Sequence, residues 1–192
     1  MITSDNSQCR VYIDMTNLSL VGSHVAAVAK GLAPSLEIAN TYNVFDFFWR
    51  LDIRALLSLV TWSGRRRATR IVAFGSTTGY DLGFWRVVQE AGMEAVTVRR
   101  KPGHREKGVD LLMGMEADRD AENWLRAGDE ITIVAGDADY VPLIQRVRAR
   151  GISVRLCFWT SAASALKAAA STFVCLDPHL HRLTLPAYTQ RR

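Results

Sequence analysis

Cysteine is scarce in this 192-residue chain: there are three, Cys9, Cys157 and Cys175, and no pair has a CxxC or metal-finger spacing. That spacing excludes a disulfide framework and a zinc-finger module. Cys157 and Cys175 fall in apolar, strand-like runs and read as small core residues, which fits a reducing, cytoplasmic setting. No charge-free apolar run reaches the roughly 18 residues of a membrane span, so none is expected. The opening MITSDNSQCR is polar rather than basic-then-apolar, so no export signal is expected either. Internal repeats and low-complexity segments are also missing.

What is there is ordinary for a soluble globular protein: 48% hydrophobic and 22% charged residues, in a length that suits one domain with a substantial core. The net charge of +5 favours an anionic partner, nucleic acid being the commonest, although many basic proteins bind nothing acidic.

Along the chain, strands and helices alternate. CRVYID (9–14) reads as a strand ending in a carboxylate. Residues 19–43 are weakly patterned and read as an excursion of helix or loop. VFDFFWRLDIRALLSLV (44–60) has apolar residues at helical spacing, with Asp52 placed to cap its second half. Further strands are expected at 71–76, 94–98, 130–136, 152–159 and 172–176. Helices are expected between them, at 81–92, 109–125, about 140–150 and 161–170. Such alternation implies a single α/β domain over residues 1–176, a mostly parallel sheet with helices on both faces, followed by a tail at 177–192. If the fourth strand returns to lie beside the first, in an order of about 3-2-1-4-5, Asp14 and Asp137 become neighbours where the strand order reverses. Ligands bind at that point in open α/β sheets.

The acidic candidates are Asp14, Asp110, Asp137 and Asp139, with Asn17 beside them. Carboxylates converging on one sheet edge repel and raise one another's pKa unless a cation compensates. Hard oxygen donors suit Mg²⁺ or Mn²⁺, and such an ion can activate water against a phosphodiester. His and Cys are absent from these motifs, which argues against zinc. Each acid also has a plain structural use: Asp139 as a cap for a helix with Pro142 in its first turn, Asp14 as a turn residue, Asp110 as a favourable first-turn charge. It is the recurrence at three strand-to-helix corners of one rim that structure alone does not ask for.

VYIDMTNL (11–18), EKGVDLLMGMEAD (106–118) and VAGDADYVPLIQRVRARGISVRL (134–156) resemble the three motifs of NYN-domain proteins, the LabA-like branch of the PIN-like nucleases. The resemblance spans nearly the whole chain, to about Leu176. It implies a PIN-like fold and metal-dependent RNA cleavage with Mg²⁺ or Mn²⁺. Asp14, Asp110, Asp137 and Asp139 would be the metal-site acids and Asn17 an assisting polar residue. Three positions depart from the pattern: Glu116 where a further aspartate is frequent, Ser171 in AASTF where an acid is common, and Ala135 for a small serine.

Two basic clusters differ in placement. Arg65, Arg66, Arg67 and Arg70 precede the second strand, at the end away from the acids. Arg99, Arg100, Lys101, Arg105 and Lys107 follow the third strand, on the acidic rim, where arginine forks would suit RNA phosphates. His104 among them adds charge below neutral pH. Phe45, Phe47, Phe48 and Trp49 read mainly as helix core, with a surplus that would serve a base-stacking platform or a homo-oligomeric contact.

These features rank a metal-dependent, endonucleolytic ribonuclease first and a non-catalytic RNA-binding or regulatory module with a degenerate site second. A glycosyltransferase reading of Asp137-Ala138-Asp139 leaves Asp14, Asn17 and Asp110 unexplained. An aspartyl-nucleophile phosphatase would need an acid where Thr16 stands.

Overall fold

The computed structural model describes residues 7–63, 66–78, 82–99 and 108–186. Their elements run β1 (Cys9–Asp14), α1 (Met15–Ala29), α2 (Leu36–Thr41), α3 (Ile53–Val60), β2 (Trp62–Ser63), β3 (Arg66–Arg67), β4 (Arg70–Thr77), α4 (Leu82–Glu90) and β5 (Glu94–Arg99). They continue α5 (Val109–Asn123), β6 (Glu130–Val134), a 3₁₀ turn (Ala138–Tyr140), α6 (Val141–Ala149), β7 (Ser153–Phe158), α7 (Ser164–Ala169), β8 (Thr172–Cys175), a second 3₁₀ turn (Asp177–His179) and α8 (Leu180–Leu183).

Six strands form one parallel sheet in the order β5-β4-β1-β6-β7-β8, and β2 and β3 pair separately as a small hairpin. Counted over the sheet alone this is 3-2-1-4-5-6, the expected order carried one strand further. The chain builds outward from β1 in one direction through β4 and β5, then returns to build β6, β7 and β8 in the other. The reversal therefore lies at β1, whose Ile13 is in register with Val134 of β6. A crevice opens where neighbouring connections diverge, at the carboxyl ends of β1 and β6.

Side-chain alternation explains the two helical layers. Val11, Ile13 and Ala73 point into one core with α1, α3, α4 and α8; Tyr12, Val72, Phe74, Ile131 and Ile133 point into the other with α5, α6 and α7. A sheet covered on both faces wants continuous apolar strands, and β6 is buried at all five of its positions.

Two stretches sharpen or correct the expectation. Of the two forms open for residues 19–43, helix prevails: they comprise most of α1 and, after a Ser35 cap, α2. Their pattern is weak because many of α1's buried positions are small, Gly22, Ala26 and Ala27 among them. Residues 44–60 are not one helix: only Ile53–Val60 is helical, and Asp52 caps it by accepting from the Ala55 N–H. The upstream part is diverted by Asp46, 4% exposed, which accepts from the Phe48 N–H at 3.0 Å and pairs with Lys30 Nζ at 2.5 Å. An aspartate bonding its own downstream backbone competes directly with helix formation.

Residues 177–186, read from sequence as the start of a tail, pack on the domain. Leu183 is fully buried, its carbonyl accepts from the Asp52 N–H, and Thr184 bridges to Leu51. Among the described residues no helix is long and apolar enough to cross a membrane.

Candidate active site

Asp14 is the last residue of β1 and the N-cap of α1, its side chain accepting from the Asn17 N–H at 2.9 Å. A strand that ends at the sheet edge and turns straight into a helix needs such a cap, because the first helical N–H groups have no partners of their own. The cap leaves Asp14 only 7% exposed. Its second oxygen accepts from the Tyr140 hydroxyl at 2.9 Å. Burial pushes the Asp14 carboxyl above the usual aspartate range; the bonds from Asn17 and Tyr140 oppose that, and the charges of Asp110 and Asp137 reinforce it.

Asp137 stands at the matching corner after β6. It caps the 3₁₀ turn, accepting from the Asp139 N–H at 3.1 Å. The capping role expected of Asp139 thus belongs to Asp137. The Asp139 carboxylate is exposed and lines a groove of about 360 Å³ between α5 and α6. Gly136 precedes them, and its N–H donates to Asn17 Oδ1 at 3.0 Å, tying the first turn of α1 to the β6 corner. The backbone can sit there only without a side chain, since a Cβ on Gly136 would lie 2.1 Å from Phe158 Cε1. Asn17 therefore works first as a strut, its amide oxygen holding the Gly136 N–H.

Asp110 comes from the other side of the crevice. Gly108, at φ +93°, starts α5 without a side-chain cap, and Asp110 stands exposed in the first turn, where the helix dipole favours an anion. Asp110 and Asp139 share the α5–α6 groove, whose far end holds Asp118. Asp118 is already neutralised by Arg146 at 2.9 Å and Arg150 at 2.6 Å. In contrast, none of Asp14, Asp110, Asp137 and Asp139 has an ion-pair partner among the described residues.

Two departures from the motifs fall outside this crevice. Glu116 pairs with Arg70 at 2.9 Å, in a network at the amino end of β4 that also holds Asp120. Ser171 hydrogen-bonds the Val154 N–H at 3.0 Å, near the amino end of β7, because α7 has carried the chain back across the sheet. Neither faces the acids.

Tyr140 is the site residue that sequence reading missed. It is 1% exposed and is the side chain that holds Asp14 from the β6 side. The available signal was a tyrosine opening an otherwise apolar helix face, a hydroxyl that must find a partner once buried.

All-oxygen donors with unneutralised charge suit a hard divalent cation. Among the described residues no three His, Cys, Asp or Glu side chains are gathered closely enough to hold an ion alone. The acids are thus neighbours around an open crevice, an arrangement that suits an ion retaining waters or sharing a substrate oxygen.

Of the basic residues expected on this rim, Arg99 ends β5 and is exposed. Arg100, Lys101, His104, Arg105 and Lys107 lie outside the described residues. Arg70, from the other cluster, is bound into Glu94, Glu116 and Asp120 and is structural. Phe47 and Phe48 are 71% and 87% exposed, while Trp49 is buried, so the aromatic cluster is divided between surface and core.

Residues 9–177 match the family model described as NYN domain. No curated protein matches the sequence. Among solved structures, a protein of unknown function from Vibrio parahaemolyticus superposes with a TM-score of 0.68 at 14% identity, covering 96% of this chain and 100% of that one. Phosphofructokinase-2 from Escherichia coli reaches a TM-score of 0.40 at 12% identity, over 62% of this chain and 45% of that one.

Proposed function

Because the chain belongs to the NYN domain family, within the PIN-like superfamily, we propose that it is a ribonuclease that hydrolyses RNA phosphodiesters endonucleolytically in the crevice between β1, β6 and α5. One observation carries this reading: the charges of Asp110 and Asp137, each from its own strand-to-helix corner, bear on the buried carboxyl of Asp14 at a third, and none of the three acids has an ion-pair partner among the described residues. A protein that wanted only caps and turns would place serine or asparagine there at no electrostatic cost.

Asp14, Asp110, Asp137 and Asp139 would hold Mg²⁺ or Mn²⁺. Such an ion supplies an activated water and charge stabilisation at the phosphoryl oxygens. The chain's own residues do the placing. Tyr140 and the Asn17 N–H fix both oxygens of Asp14, so its carboxylate presents one orientation. Asn17 holds Gly136, and through it the register of Asp137 against Asp14. Arg99, with Arg100, Lys101, Arg105 and Lys107, would draw the RNA backbone to the same rim in a cytoplasmic setting. A binding module without turnover is the second reading, but Glu116 and Ser171, the departures that suggested it, lie away from the crevice.

The test uses one RNA sequence in circular and linear forms with Mg²⁺ or Mn²⁺. Endonucleolytic cleavage opens the circle. Cutting of the linear form alone would make the activity end-directed, and cutting of neither would remove the hydrolase reading.

A further inference from the structure

The loop 44–51 is held stiffly and yet leaves aromatic rings in water. Buried Asp46 pairs with Lys30, its N–H donates to the Ser23 carbonyl at 3.0 Å, and its carbonyl accepts from the Trp49 N–H at 3.1 Å. The Trp49 indole donates to Thr184 Oγ1 at 2.9 Å. On this frame Phe45 and Phe47 pack with ring centroids 4.2 Å apart and planes tilted by 55°, and Phe47 keeps 71% of its surface exposed. Rings in water are unfavourable, and a loop tied down at this many points holds them there.

Phe47 forms one wall of a cavity of about 420 Å³ whose other walls include Thr16, Ser76, Phe84, Trp85 and Arg50. Three further observations describe what would fill it. Trp85 is 6% exposed, and its indole N–H has no acceptor among the described residues. Arg50 is exposed and among the described residues donates only through Nη1, to the carbonyls of Phe47 and Trp49 at 2.6 and 2.9 Å. Its guanidinium has no carboxylate partner among the described residues. Thr16 sits between Asp14 and Asn17 in sequence and accepts from the Ser76 N–H at 3.0 Å. The cavity thus lies on the β4 side of the same turn of chain that carries the acids on its β6 side.

The geometry points to a nucleotide subsite: a base of single-stranded RNA stacks on Phe47 in this cavity, and Arg50 takes an adjacent phosphate. The strand then passes over the first turn of α1 toward Asp14 and Asp137. An aromatic face beside an unpaired guanidinium matches the two halves of a nucleotide. An apolar protein partner would leave that guanidinium without a counter-charge, and a second copy of this chain would bring a further +5 of like charge. The subsite rests on the RNA reading above.

The experiment separates the two. Binding of short single-stranded RNAs is measured with the Asp137→Asn protein, which leaves them uncut, using a series in which one base at a time is replaced by an abasic spacer. Stacking predicts one position where the spacer weakens binding roughly 5- to 150-fold, the range of a base–aromatic contact. With Phe47→Ala added, overall affinity falls by a similar factor and the spacer at that position has no further effect. Arg50→Gln lowers the slope of log affinity against log salt by about 0.7, one phosphate contact. Fully duplexed RNA shows no Phe47 effect. A flat spacer series with the loop unmodified overturns the subsite without help from any loop variant, and leaves the nuclease reading standing if the wild-type protein still cuts. Phe47→Ala binding as tightly as its parent overturns it too, as does a Phe47-dependent dimer in sedimentation with RNA binding unchanged. RNA binding by no form of the protein would sink both readings.

Discussion

At the scale of single residues, capping and ligation have separated. The sequence offers Asp139 both roles, whereas the structure gives the cap to Asp137 and leaves Asp139 with a free carboxylate over the α5–α6 groove. Asp139→Ser removes a charge and no cap, so the thermal midpoint should stay within the change expected from about 0.5 kcal/mol. Activity should nevertheless fall at least tenfold, because the lost group belongs to the crevice. Single-turnover cleavage and a melting curve on the same preparation check this, and full activity would return Asp139 to the ordinary surface. Tyr140 shows the converse. Its contribution depends on a bond to a residue 126 positions away, and no local pattern encodes that partner.

Elements were legible where one periodicity ruled them and illegible where a tertiary bond did. β4, β5, β6 and β7 follow apolar runs closely, and α5 follows its Gly108 start. Residues 44–51 had helical spacing but lost the helix to Asp46, whose partners Lys30 and Ser23 come from α1 and its C-cap. The second half of α5 carries another such bond. Asp120, 1% exposed, accepts from Arg10 and Arg70 at 2.5 Å each and from Tyr12 at 2.6 Å. Burial works to raise its pKa, and these three donors outweigh it, so the carboxyl sits below the usual range. A depressed folded pKa contributes stability that is present above the unfolded value of about 3.9 and is lost as pH falls through the folded one. The wild-type melting temperature should therefore drop as pH falls below about 4, and the Asp120→Asn protein should show a flatter acid limb. At neutral pH that variant should lose about 3 kcal/mol, the low end for a broken buried pair because Arg70 keeps Glu94 and Glu116. Denaturant melts from pH 3 to pH 7 measure both; parallel curves would show that the network adds nothing through its charge.

At the scale of the whole molecule, the strand order was legible because alternation and the parallel-crossover rule leave few arrangements, and the order then brought Asp14 and Asp137 together. The division of positive charge follows from the same topology. Arg70 is bound into carboxylates at the amino end of β4, whereas Arg99 is exposed at the carboxyl end of β5. Replacing Arg99, Arg100, Lys101 and Arg105 by glutamine should flatten the log affinity–log salt slope for a short single-stranded RNA by up to about 3, at about 0.7 per contact. Replacing Arg65, Arg66 and Arg67 should leave it nearly unchanged. The opposite result would put RNA on the wrong end of the sheet.

The central claim is that the acids of the crevice hold a divalent cation that cleaves RNA, and one comparison tests it most directly. Wild-type and Asp137→Asn proteins are given the same labelled RNA with Mg²⁺, with Mn²⁺ and with EDTA, and each protein's melting is recorded alongside. Asparagine can still cap the 3₁₀ turn, so the variant should melt cooperatively near the wild-type temperature. Cleavage should appear only with wild-type protein and metal, and be lost both on chelation and in Asp137→Asn. Equal cleavage by the folded variant, or cleavage indifferent to EDTA, would contradict the account; so would intact RNA with either metal together with Mn²⁺-soaked crystals that show no ion between Asp14, Asp110 and Asp137.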